Sequence, residues 1–289
     1  MGHVTSREAS NILGYTGSAV ADMCRRGSLK AQKVNRHWQI DSDSLSEYME
    51  YRKTSNCLNA LNYDARLEQA KTAHKVQISR GNTKLGNIPQ FNLLPLETCA
   101  GSTPLCRKDC YMAAELRCFL NSRLAYTVNT WMVLNHLSEV ETALTGYIAE
   151  KAPPLFRIHS SGDFMGRTWT TEQGRSYVDM WHRIARAFPG TKFMAFTKVF
   201  TLDHSDKPGN FTLIYSVFPD TIYTDIPQDG NKLAFCVYPK EQTDRQYTPE
   251  IAGQVYDQKQ SLPCAGSCKE CAMCWYIDGV KKNVVFHIH

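Results

Sequence analysis

Leu155-Phe156-Arg157-Ile158-His159-Ser160-Ser161-Gly162-Asp163-Phe164 passes from an apolar run into a polar turn, and its place ahead of a helix and a second strand decides the fold. Across residues 172–188, Tyr177, Trp181, Ile184 and Phe188 recur at the spacing of one helix face, a core stripe rather than a binding surface. Lys192-Phe193-Met194-Ala195-Phe196-Thr197 then reads as a second strand. Strand, helix and strand in succession predict an α/β layer. Outward from this core, residues 111–151 read as a helical block, and further β-rich runs fall at 211–217, 222–224, 233–238 and 284–288. The later connections are short on helix, which favours a layered α/β domain or an incomplete barrel over a complete eight-fold barrel.

Sheets of this kind carry their sites at the C-terminal ends of strands, so His159 and Asp163 are candidate catalytic residues. A histidine there titrates near neutrality, and Asp163 can orient it or bind a cation. The plainer reading is a strand-to-helix turn in which Asp163 caps and Gly162 supplies an unusual backbone angle. Lys198, at the end of the next strand, joins the candidates: with Thr197 it can bind an anion, although a solvated lysine is commoner.

Seven of the eleven cysteines fall into two groups, Cys99, Cys106 and Cys110, and Cys264, Cys268, Cys271 and Cys274. The second group reads Cys-x3-Cys-x2-Cys-x2-Cys. A zinc finger separates two pairs by a longer stretch, whereas this crowding is that of a loop wrapping an iron-sulfur cube, so a 4Fe-4S cluster is the expected cofactor. Its first three cysteines have the spacing of the radical S-adenosylmethionine loop, which brings in S-adenosylmethionine as a second cofactor reading. That loop comes after the first strand of its barrel, however, and this copy lies near the C-terminal end with a fourth cysteine beside it. The early group has three nearby thiols. It either leaves one iron open to a small-molecule ligand, borrows a ligand, or shares a single cluster with the late group. The open-iron reading places Cys99, Cys106 and Cys110 opposite His159 and Asp163 on one sheet edge. The isolated Cys24, Cys57, Cys118 and Cys236 read as small buried hydrophobes, and His287 and His289 as strand-end or surface residues. The first residues have no apolar signal core and no run is long enough to cross a bilayer, so a cytoplasmic protein with reduced thiols is expected.

Residues 1–53 read as a separate module. Thr5 and Glu8 form a capping box for a first helix ending near Leu13, and Gly14 turns the chain. A second helix spans 16–26 and stops at Gly27. Next comes a hairpin turning at Asn35-Arg36, and Asp41 and Ser42 cap a third helix. Residues 54–80 are polar and read as a linker, and residues 81–289 as the cysteine-rich domain. The formal charge of +5 permits nucleic-acid binding without demanding it. The module carries eight Lys or Arg against six Asp or Glu, so one copy binds DNA modestly and a homo-oligomer or tandem array is expected.

Thr5-x2-Glu8-Ala9, Ile12-Leu13-Gly14, Val20, Arg25-Arg26-Gly27-Ser28-Leu29 and Lys33-x2-Arg36-x-Trp38-x-Ile40 together resemble the excisionase and MerR-like winged helix-turn-helix family. The resemblance implies double-stranded DNA as partner. The helix from Thr16, with Ser18, Arg25 and Arg26, would enter the major groove, and Lys33, Asn35 and Arg36 on the wing would touch the backbone or minor groove. A helical protein-interaction module is the alternative. The stretch from Gly81 to Pro89, Leu94-Pro95, Thr98-Cys99-x6-Cys106-x3-Cys110-Tyr111, Arg157-x-His159-x2-Gly162-Asp163-Phe164, Phe193-x-Ala195-Phe196-Thr197-Lys198 and the closing cysteines resemble the phage gene product 88 family. This resemblance implies a phage or prophage protein that binds an iron-sulfur cluster.

Three functions stand as expectations. The first is a redox or radical-type enzyme directed to nucleic acid. The second is a redox- or iron-sensing DNA-binding regulator, and the third a DNA-binding accessory protein with structural zinc. The size of the cysteine domain and the strand-end residues favour the first. A phosphate-binding loop, a Ser-His-Asp arrangement and a His-Glu-x-x-His motif are all absent from the sequence, which leaves hydrolase and kinase readings without support.

Overall fold

The computed structural model describes residues 2–288 apart from Gly14, Arg36 and Asn62; of residues 52–61 it describes the backbone alone. The expected turn at Gly14, the wing residue Arg36, the side chain of Cys57 and His289 therefore lie outside the described residues. The chain divides into two compact units, Met1–Ala65 and Arg66–His289.

The first unit runs β1 (His3–Thr5), α1 (Ser6–Leu13), α2 (Gly17–Arg25), β2 (Ala31–Val34), β3 (His37–Asp41) and α3 (Ser42–Leu61). The Thr5 amide donates to the Glu8 carboxylate at 2.8 Å and the Glu8 amide to the Thr5 hydroxyl at 3.3 Å, which is the expected capping box. Helix α2 starts on the Thr16 hydroxyl, which accepts the Ala19 amide, and ends in a Schellman arrangement. There Ser28 donates to the Met23 carbonyl and Gly27, at φ 75°, to that of Cys24. β2 and β3 pair as far as Val34 and His37, with Asn35 at φ 47° in the turn. The sequence reading missed β1, which pairs antiparallel with β3 and completes a three-stranded sheet. Ala9, Leu13, Val20, Cys24, Leu29, Ile40 and Leu45 form the core, so Cys24 is a buried hydrophobe as expected.

The second unit is built on an open, mostly parallel sheet. α4 (Tyr63–Thr72) leads to β4 (Ile78–Ser79) and β5 (Gln90–Phe91); α5 (Pro104–Lys108), α6 (Tyr111–Cys118), α7 (Leu120–Asn135) and α8 (Leu137–Lys151) come next. Then come β6 (Leu155–Ile158), α9 (Thr171–Ala187), β7 (Lys192–Thr197), β8 (Phe211–Val217), β9 (Lys232–Val237), α10 (Pro249–Tyr256), β10 (Ser261–Pro263), α11 (Cys268–Cys271) and β11 (Asn283–His287). The eight strands stand in the order β10-β11-β9-β8-β7-β6-β5-β4, and every pair except β4 with β5 is parallel. β10 and β4 are the two edges, so among the described residues the sheet does not close and no complete barrel is seen, as expected. Part of the expected linker belongs to this unit, since β4 is an edge strand of its sheet. Residues 222–224 are not a strand. Phe218 and Thr221 close a turn there, Tyr223–Asp225 is a 3-10 turn, and Ile222 is exposed, leaving no apolar burial to hold an extended run.

Strand alternation sorts the side chains into two layers. Phe193, Ala195, Leu213, Tyr215, Phe235 and Val285 pack under α7, α8 and α9, where Tyr177 and Trp181 are fully buried, each contributing roughly 1.5–3 kcal/mol or more. Met194, Ile214, Ala234 and Val284 face the other way, onto Leu85, Trp275 and Ile277, with Cys264, Cys268 and Cys274 packed against them. The helices therefore cover one face and the cysteine loops the other.

Candidate functional site

The loop after β5 carries Cys99 to the C-terminal edge of the sheet. Cys99 bridges Met165 in parallel fashion, and the next residue, Ala100, donates to the Met165 carbonyl at 2.9 Å. Gly101 comes so close to the end of β7 that a Cβ would stand 2.0 Å from the Lys198 carbonyl oxygen, so only glycine fits. Thr103 then caps α5 through the Cys106 amide at 3.2 Å, and Cys110 sits at the start of α6. Asp109, between these two thiols, accepts from Tyr238 at 3.0 Å and from Arg245 at 2.7 Å, pinning the segment to the end of β9.

At the centre of this edge stands Lys198. Burial alone would favour its neutral form, but Cys106, Asp163, Cys236 and Cys99 around it hold its pKa above the ordinary lysine range. The ammonium also lies 5.3 Å from the Phe218 ring centroid. Asp163 accepts from the Thr197 hydroxyl at 2.6 Å, the Phe164 amide at 2.8 Å and the Lys198 amide at 2.9 Å, although burial still pushes its carboxyl up. Burial also pushes the thiols of Cys99 and Cys236 up to about 12, and that of Cys106 upward. Cys236 is the residue that the sequence reading missed. It lies on β9 with Ala234, on the face opposite Phe235 and Val237, which brings it to Lys198 and Cys106 rather than into the helix-side core. The expectation of a buried hydrophobe also fails for Cys118, which is exposed at the end of α6.

The late group forms beneath the same face. Cys264 stands just after β10, its amide donating to the Val285 carbonyl at 2.7 Å and its sulfur accepting the Gly266 amide at 3.4 Å. Cys268 and Lys269 both donate to the Lys84 carbonyl, so the 81–89 stretch is tied to this loop. Trp275 locks it down, with Nε1 donating to the Phe156 carbonyl at 3.0 Å. Cys264, Cys268 and Cys271 all lie within electrostatic range of Cys274, whose thiol is pushed up to about 12, first by burial, with Arg157 opposing. Arg157 projects from β6 with its guanidinium carbon 4.7 Å from the Phe196 ring centroid. Tyr111 has Arg157, Lys198 and Cys110 as neighbours, so it connects the surroundings of the two groups; its hydroxyl donates to the Ser160 carbonyl at 3.1 Å.

His159 is placed elsewhere. Ile158 faces the helix layer, and plain alternation would turn the next side chain towards the cysteines. Instead His159 adopts φ 58°, a left-handed conformation, and its ring turns under the helices to bond Tyr177 Oη at 2.7 Å. Burial, with the Arg157 charge, pushes its pKa down to about 3, so it is a neutral core residue. The expected meeting of His159 and Asp163 with the early thiols thus holds in geometry for Asp163 alone. Gly162, at φ 86°, has the unusual angle expected of it.

In the N-terminal unit, Thr16, Ser18, Arg25, Arg26, Lys33 and Asn35 are all exposed. Arg25 and Arg26 pair with Asp22 at 3.4 and 2.5 Å, and Lys33 lies 5.8 Å from the Trp38 ring centroid. Among the described residues no helix is long and apolar enough to cross a membrane.

Residues 60–277 match the family "Gene product 88", and residues 4–53 match "Helix-turn-helix domain". The chain is 31% identical over 173 residues to the Gene 88 protein of Mycobacterium phage L5, covering 54% of this chain and 69% of the relative. It is 27% identical over 246 residues to the Gene 88 protein of Mycobacterium phage D29, covering 76% of this chain and 96% of the relative. No solved structure matches it. The chain belongs to the Gene product 88 family and carries a helix-turn-helix DNA-binding module at its N-terminal end.

Proposed function

We propose that this protein is an iron-sulfur protein directed to duplex DNA by its N-terminal module, and that its second domain is a redox enzyme. The observation that carries the reading is the gathering of Cys99, Cys106 and Cys236 around a charged Lys198, with Cys110 beside Cys106. Burial raises the thiols of Cys99, Cys106 and Cys236, whereas ligands must be thiolates, so metal loading would bring negative charge beside the buried Lys198. Arg157 stands in the same relation to Cys268 and Cys274. An iron-sulfur cluster would be held by Cys99, Cys106, Cys110 and Cys236, and a second by Cys264, Cys268, Cys271 and Cys274; such clusters supply one-electron chemistry.

The crowding of Cys264, Cys268, Cys271 and Cys274 within eleven residues supports a polynuclear group over a zinc finger, which separates two cysteine pairs by a longer stretch. Cys236 as fourth ligand removes the need for an open iron in the early group, so neither S-adenosylmethionine nor a small molecule on iron is part of this proposal. Cys271 is exposed, which keeps a regulator that senses oxidants as the second reading.

Spin resonance of the dithionite-reduced, anaerobically prepared full chain tests the proposal. A cluster signal that persists when residues 1–53 are removed, while duplex binding is lost, is the expected result. Reduced protein that is silent and carries only zinc would overturn it. DNA affinity that changes between the oxidised and reduced forms would instead favour the sensor.

A further inference from the structure

His74, His136 and Glu139 come together from three places: the turn after α4, the junction of α7 with α8, and the first turn of α8. Both imidazoles direct Nδ1 at the one carboxylate. His74 Nδ1 lies 2.9 Å from Glu139 Oε2, and His136 Nδ1 lies 3.1 Å from Oε1. The two rings are 3.9 Å apart between centroids, and Trp131 walls the pair, 5.5 Å from the ring of His74 and 4.8 Å from that of His136.

We infer that His74, His136 and Glu139 form a binding site for a divalent ion of the zinc class, separate from the cysteine groups. A tetrahedral ion with bonds of about 2.0–2.1 Å to nitrogen and oxygen has ligand-to-ligand edges of ~3.3 Å. The two imidazoles face different oxygens of the carboxylate, and one ligand atom from each residue lies within 4.8 Å of the other two, so side-chain rotation that draws them together onto one ion brings them to that figure. Two imidazoles and one carboxylate are a borderline donor set that suits zinc, cobalt or nickel better than magnesium or calcium. The ligand side chains are 36%, 26% and 48% exposed for His74, His136 and Glu139, so solvent reaches the fourth position.

Two features of the backbone fit this assignment. His74 is held at φ 45°, a left-handed conformation that a non-glycine residue adopts at some cost in strain, and the contact of its ring with Glu139 is what that conformation secures. His136 ends α7, its amide donating to the Met132 carbonyl at 2.7 Å, and also starts α8, so its ring and the Glu139 carboxylate are held at one corner. The ion takes the Nδ1 lone pairs, with the ring protons carried on Nε2. It clips the turn after α4 to the α7–α8 corner, closing a loop of about 65 residues and stabilising the domain without touching the thiols.

The test uses the full chain, prepared anaerobically with its thiol groups loaded, titrated with cobalt(II) and competed with zinc. Cobalt bound beside Trp131 quenches its fluorescence, zinc reverses the quenching, and the new absorption lacks thiolate-to-cobalt charge transfer. Zinc raises the melting temperature of the wild type. His136→Ala and His74→Asn, the latter tolerant of the left-handed backbone, each lower affinity at least ten-fold and abolish the melting shift, while Trp131→Phe removes the quenching and keeps the shift. Cobalt or zinc affinity unchanged in both histidine variants, or binding seen only as thiolate charge transfer, overturns the inference.

Discussion

Asp163 accepts the backbone N–H of Lys198 at 2.9 Å, so the turn after β6 fixes the residue just past β7, around which Cys99, Cys106 and Cys236 are gathered. Asp163→Ala removes the acceptor for that part-buried amide and for the buried Thr197 hydroxyl. It should destabilise the domain by about 1–3 kcal/mol for each donor left unpaired and lower iron content. Chemical denaturation with parallel metal analysis checks this, and a variant with wild-type stability and iron would show that the bond does not organise the site.

Cys236→Ser should lower bound iron as much as Cys106→Ser does, because both sulfurs face Lys198. Cys118→Ser, at an exposed position, should leave iron and melting unchanged. Full iron in the Cys236 variant would return that residue to the core role read from sequence.

In the late group, Cys268→Ser or Cys271→Ser should release iron and lower the melting temperature, since ligand loss removes folding free energy. Trp275→Ala should do the same by another route. Emptying a fully buried indole site costs about 3–5 kcal/mol and frees the loop that carries Cys274. Unchanged melting in all three variants would show that this loop contributes nothing to stability.

The DNA-binding prediction is independent of metal. Removing residues 1–53 should abolish specific duplex binding and leave metal content intact. Arg36→Ala should weaken binding and reduce the slope of log affinity against log salt by about 0.9, one phosphate contact. Equal DNA affinity in the truncated chain would move the interface to the second domain.

Stability should fall in acid through buried histidines. Burial lowers the pKa of His159 to about 3 and of His204 to about 4, while the unfolded chain titrates near 6.5. Between those values the unfolded state binds more protons. The contribution is therefore complete above about pH 6.5 and is lost as pH falls, at up to roughly 1.4 kcal/mol per unit for each histidine. Neither ring nitrogen of His204 has a hydrogen-bond partner among the described residues, so His204→Leu should flatten the slope without opening a polar gap. Identical pH profiles for wild type and variant would contradict the assignment.

Much of this architecture is legible in the sequence because it rests on periodicity. Tyr177, Trp181 and Ile184 mark one helix face, Phe193 and Ala195 one strand face, and Thr5 with Glu8 a helix start. What escapes is what depends on three-dimensional register. A lone cysteine in Leu233-Ala234-Phe235-Cys236-Val237 looks like core until the pleat is known to turn it with Ala234. His159 looks like a strand-end base until its left-handed backbone turns the ring beneath the helices. His74 and Glu139, 65 residues apart, share no spacing motif at all.

Iron and acid-labile sulfide, quantified on the anaerobically purified full chain together with its visible spectrum, test the central claim most directly. The account predicts iron and sulfide in near-equal amounts, with broad sulfur-to-iron absorption, falling by about half when the ligands of either cysteine group are replaced by serine. Colourless protein that binds only zinc, or iron content indifferent to both sets of replacements, would contradict it.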